Sequence, residues 1–177
     1  MKKAVFGIAR TENQAIAIAS RLKERGFFPN DISILLPDKS GTRDFAHEQH
    51  TKAPEGAAAG AGSGVILGGA LGWLVGIGAL AIPGLGPFIA AGPIMAALAG
   101  AGAGAAAGGL VGTLVGLGIP ELEAKQYEGK IRNGNILISV HATDAKEITR
   151  AKEILQQAGT DDVSYTGESS VPERARP

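Results

Sequence analysis

The chain contains no cysteine, carries no net charge, and has no charged side chain at all over residues 56–120. The first absence excludes disulfides, thiolate metal sites and cysteine nucleophiles. The second, 17 Lys and Arg against 17 Asp and Glu, leaves no basic face of the kind that phosphate contacts require, so nucleic acid is not expected as a partner. The third divides the chain. Every charge lies in the flanks, residues 1–55 and 121–177, which read as ordinary soluble protein, while 20 of the 27 glycines crowd the centre. The start reads against a secretory leader, because only a short apolar run separates its two lysines from Arg10 and Glu12.

What the centre holds is glycine at every fourth residue: Gly60, Gly64, Gly68, Gly72 and Gly76, then Gly92, Gly100, Gly104, Gly108, Gly112 and Gly116, with Ala96 filling one gap. On a helix this spacing makes a ridge without side chains, where another backbone can approach closely, as in glycine-zipper helix pairs. Residues 60–82 and 94–118 would be about 34 Å and about 37 Å long as helices, enough for a hydrocarbon core of about 30 Å. Pro83, Gly84, Gly86 and Pro87 would make the turn between them. The reading is a transmembrane hairpin whose partners are membrane lipid and, because the glycine stripe winds too far round for one partner, further copies of the chain. An even number of spans, with Lys52, Lys125, Lys130 and Arg132 near their ends, places both flanks on the cytoplasmic side of the membrane. Two features sit badly with this. Residues 100–109 have no large apolar side chain and insert poorly alone, and Trp73 lies near mid-span.

The flanks alternate strand and helix signals. Residues 3–9 read as a strand, Thr11 with Gln14 as a capping box opening a helix that Gly26 ends, and residues 32–36 as a second strand. Beyond the centre, Pro120 opens a helix to about Arg132, residues 135–142 form a strand, a helix starts near Thr143 or Asp144, and residues 163–166 form a last short strand. The order is that of a ferredoxin-like sandwich, an α+β fold formed by the two flanks, with helices on one face of a four-stranded sheet and the hairpin inserted. The division is 1–50 for the first half with its connector, 56–118 for the hairpin, 119–166 for the second half and 167–177 for a disordered tail.

Candidate chemistry is sparse. His47 and His50 are three apart and, with Asp44 or Glu48, have the types to hold a metal, but without a fourth ligand nearby they read as solvated histidines in a connector. His141 reads as structural. Glu121 and Glu123 lie in the first turn of a helix, where the macrodipole favours negative charge without any acid-base role. The glycines at 100–104 lack the Gly-Lys-Ser/Thr of a phosphate loop. No catalytic residue, metal site or cofactor is expected.

The connector FAHEQHTKAPEGAAAGA (residues 45–61), the core IPGLGPFIAAGPI (82–94) and the re-entry GLGIPELEAKQYEGKIRNGNILISV (116–140) together resemble the bacterial general stress protein family, small proteins with a central region of unknown function. The resemblance spans residues 3–142. It implies stress-associated expression and a location in a bacterial inner (cytoplasmic) membrane, with both flanks cytoplasmic, and it brings no catalytic residue, substrate or cofactor. The resulting expectation is a non-enzymatic, stress-associated membrane protein that homo-oligomerises through the glycine-zipper hairpin. Its rivals are a self-assembling particle or filament with the hairpins in a dry or lipid-filled core, and a small-molecule-sensing regulatory domain tethered to membrane.

Overall fold

The computed structural model describes residues 3–38, 71, 73–74, 77–82, 85–94 and 105–165. In chain order these form β1 (Lys3–Ala9), α1 (Glu12–Glu24), a 3-10 turn (Pro29–Asp31), β2 (Ile32–Pro37), β3 (Gly78–Ile82), β4 (Gly86–Ala91), α2 (Ala105–Gly116), α3 (Glu121–Arg132), β5 (Ile136–Ala142), α4 (Ala145–Gln157) and β6 (Asp161–Tyr165). The strands make one six-stranded sheet in the order β3-β4-β2-β5-β1-β6, with every neighbouring pair antiparallel.

The central strands are apolar on both faces, and the sheet is accordingly covered on both. Val5, Ile32, Ile34, Ile136, Ile138 and Val140 meet Ala15, Ile18 and Leu22 of α1 and Ala151, Ile154 and Leu155 of α4. Phe6, Ile8, Leu35 and Leu137 point the other way, into a core closed by Leu110 and Leu114 of α2 and Ala124, Tyr127 and Ile131 of α3. This follows from the period-2 geometry of a strand, which sends successive side chains to opposite faces.

Local signals fix the helix ends. Thr11 Oγ1 accepts the Gln14 backbone N–H at 3.2 Å, and Gln14 Oε1 accepts that of Arg10 at 2.8 Å. Gln14 Nε2 also donates to the carbonyls of Ala158 and Gly159 at 2.8 and 3.0 Å, tying the start of α1 to the end of α4. Asp144 Oδ1 accepts from Glu147 N at 2.7 Å while Glu147 Oε2 accepts from Thr143 N, a reciprocal capping box. Pro120 stands just before α3 rather than at its first position.

The inserted transmembrane hairpin is not found. No helix among the described residues is long and apolar enough to cross a membrane. Residues 78–82 and 86–91, read as the end of one span and as part of the turn region, form a β-hairpin that extends the sheet beyond β2. In the second span, α2 is only 12 residues long and is kinked at Gly109, where φ is 55° and ψ −150°. The membrane and transmembrane assignments, and with them membrane lipid as a partner and the inner-membrane location with cytoplasmic flanks, lose the spanning helices they rested on. The sheet also has two strands and one covered face more than the expected sandwich.

The misreading has a physical cause. A period of four is a multiple of the strand period of two as well as close to the helical 3.6, so glycine spacing alone does not separate the two. Pro83, Gly84, Gly86 and Pro87 cut the apolar run into pieces of strand length. Trp73, the residue out of place at mid-span, packs against the α1 side of the core, with Lys23 Nζ 5.0 Å from its ring centroid. A lysine ammonium in that position belongs to a water-facing contact.

Gly92 shows how the hairpin is docked. It turns the chain after β4 with φ +77°, and a Cβ there would fall on the carbonyl oxygen of Ile32, with Ser33 Cα at 3.0 Å. Directly after it, Ile94 N donates to the buried Ser33 Oγ at 3.1 Å. Gly92→Ala should therefore destabilise by about 2–4 kcal/mol, from left-handed strain and overpacking together. Gly129→Ala, in the open on α3, should stabilise by up to about 1 kcal/mol. Urea unfolding of the two variants checks this; equal effects would remove the close-approach role of Gly92.

Candidate self-association surface

Helix α2 is built to bury one side and leave the other bare. Leu110, Thr113 and Leu114 face the core, and Thr113 Oγ1 returns its proton to the Gly109 carbonyl at 3.2 Å. Gly112, Val115 and Gly116 occupy the opposite face and are exposed. A Cβ at Gly112 or Gly116 would meet no atom within 4 Å. The helix has no charged residue, so this outer face offers only backbone and methyl groups. Leu122, at the start of α3, is 72% exposed.

The glycines expected to pack helices meet different fates. Gly112 and Gly116 lie on this bare face, Gly108 falls within α2, and Gly92 makes the turn after β4. Gly60, Gly64, Gly68, Gly72, Gly76, Gly100 and Gly104 lie outside the described residues, as do Pro83 and Gly84. Gly86 and Pro87 begin β4, directly after the bend closed by Leu85 N donating to the Ile82 carbonyl at 3.0 Å; Gly86 takes φ +96°. The turn residues thus flank a bend between strands rather than between helices.

Asp44, His47, Glu48 and His50 lie outside the described residues, and among those described no group of three His, Cys, Asp or Glu could hold a metal ion. His141 stands in β5 opposite Ala4. Glu121 pairs with Lys125 at 2.6 Å, which lowers its pKa through the hydrogen bond and then the charge. A cleft lined by Arg10, Thr11, Leu36, Gly134 and Ile136 encloses about 20 Å³, room for about one water.

Sequence reasoning missed the charged strap along the β6 edge. Arg10 grips Asp161 with two hydrogen bonds, Nε to Oδ2 at 2.7 Å and Nη2 to Oδ1 at 3.0 Å. Lys130 pairs with Asp162, a residue held at φ 50°. Tyr127 Oη lies 2.8 Å from the Asp162 carbonyl and 2.6 Å from Ser164 Oγ, and burial pushes its pKa up to about 12. The partners are far apart in sequence, so no local spacing announces them.

No protein-family model, curated protein or solved structure matches the chain.

The strap carries a pH signature. The hydrogen bond from Arg10, ahead of its charge, lowers the Asp161 pKa in the folded state. A depressed carboxylate contributes stability that is present above its unfolded pKa, about 3.9, and is lost as pH falls through the folded value. The stability gap between the parent and Asp161→Asn should therefore be constant at neutral pH and close below about pH 4. Thermal melts from pH 7 to pH 2.5 follow it; a gap that persists in acid would mean that the Arg10 pairing is not its source.

Proposed function

We propose that this protein acts by self-association, as a non-catalytic α/β homo-oligomer. The observation that carries the reading is the outer face of α2, where Gly112, Val115 and Gly116 stand exposed on a helix without charge whose other face is buried. A helix surface stripped of side chains lets a second helix approach closely, and close approach gains dispersion and backbone contact over its length. The alternation of buried Leu110 and Leu114 with bare Gly112 and Gly116 fits a helix that packs twice, once inward on the sheet and once outward on a copy. The resemblance of residues 3–142 to general stress proteins supplies the physiological setting, a protein accumulated under stress whose effect comes from its assembly rather than from turnover.

The reading predicts that the purified chain is larger than a monomer on sizing with light scattering. Gly112→Leu with Gly116→Leu should weaken that association about tenfold or more, since bulk on a close-approach face is excluded there. Gly129→Leu is the matched control, because Gly129 is also open and helical but sits among the charges of α3. A monomeric parent, or equal assembly of both variants, would remove this face from the function.

A further inference from the structure

The two edges of the sheet are treated very differently. At one edge, β6 carries Asp161 and Asp162, a register irregularity against β1 between Phe6 and Ile8, and a positive-φ aspartate pinned by Lys130. These are devices that stop another strand from adding. At the other edge, β3 is Gly-Ala-Leu-Ala-Ile, with no charge and no proline within it. Ala79 and Ala81 are exposed, and among the described residues no strand pairs with the outer side of β3.

The orientation of that edge follows from Pro87. Its carbonyl accepts from Asp38 N at 2.9 Å, so the peptide groups of Pro87 face β2. Ala81 lies directly opposite Pro87 in the β3–β4 register, and Ala79 is two residues on, opposite Ile89. In an antiparallel pair, the residue opposite a non-bonding position turns its own N–H and C=O away from its neighbour. Ala79 and Ala81 therefore present two donors and two acceptors to the outside, placed symmetrically about Leu80.

We infer that β3 pairs antiparallel with β3 of a second copy of this chain, about a two-fold axis at Leu80, joining two sheets into one. This rests on the self-association reading and adds to it the identity of a second interface. The occupant is a second copy for three reasons. A two-fold axis at Leu80 sets Ala79 of one chain against Ala81 of the other and so matches every outward N–H with a carbonyl. No charge lies anywhere in residues 56–120 to meet its like, and the whole chain carries none net. A foreign peptide added to an edge is selected by pockets for its alternate side chains, whereas this edge presents methyl groups at Ala79 and Ala81.

The chain's freedom from cysteine makes the test direct. Chains carrying Ala79→Cys and chains carrying Ala81→Cys, mixed and mildly oxidised, should form the mixed disulfide, because bonded partners across such a pair stand about 5.5 Å apart at Cα, within disulfide reach. Ala79→Lys with Ala81→Lys should weaken association about tenfold while leaving the circular dichroism spectrum unchanged, since both positions are exposed. Absence of the mixed disulfide in an oligomeric parent, or undiminished assembly of the Lys variant, would overturn the β3 interface and leave the α2 reading standing. A monomeric parent would overturn both.

Discussion

The structure hangs on β5. It is the strand through which the two halves of the chain meet, pairing along its whole length with β1 on one side and through Leu137–Val140 with β2 on the other. It is also buried on both faces, with Ile136, Ile138 and Val140 under α1 and α4 and Leu137 under α2 and α3. Each such side chain withdrawn from water is worth about 1.5–3 kcal/mol. Both backbone edges are satisfied over residues 137–140, so burial and pairing coincide there. Ser139, with Ser33 opposite it, brings a buried polar pair into the middle of the sheet, and the Ser33 hydroxyl is used to hold the chain that leaves β4.

Much of this was legible in the sequence. Thr11 with Gln14, Gly26, Gly134 and Asp144 are local signals whose meaning depends on the few residues around them, and helix ends fall where they point. The strand runs read at 3–9, 32–36 and 135–142 are short, apolar and bounded by turn formers, which is how buried strands read, and each falls within a residue of the strand observed. The centre was illegible because its composition has two solutions. Glycine and alanine at a spacing of four suit a helical ridge, and the same residues, cut by Pro83 and Pro87, suit a short hairpin. The deciding facts are tertiary: Ser33 waiting to accept from Ile94, the Ile32 carbonyl waiting beside Gly92, and Lys23 waiting for Trp73. The candidate surface was half visible. Gly112 and Gly116 were marked as bare positions, but the buried partner of their helix, a sheet face rather than a lipid or a second span, was not.

Two surfaces on different parts of one subunit have a geometric consequence. Helix α2 lies over one face of the sheet with its bare side turned outward, while β3 is the edge of the sheet. If each joins like to like, the two two-fold axes generate either a closed ring or an open row of subunits, according to the angle between them. The guarded β6 edge keeps such growth from running in a second direction along the sheet.

The position of β5 late in the chain also sets the order of events during synthesis. β2 can find β4 and β3 as soon as residue 91 has emerged, but both neighbours of β1 are C-terminal: β5, in residues 136–142, and β6. At about 5–20 residues per second, the first strand waits roughly 7–27 s for its first partner. The last quarter of the sequence thus supplies both strand partners of β1 and acts as the latch that closes this side of the sheet.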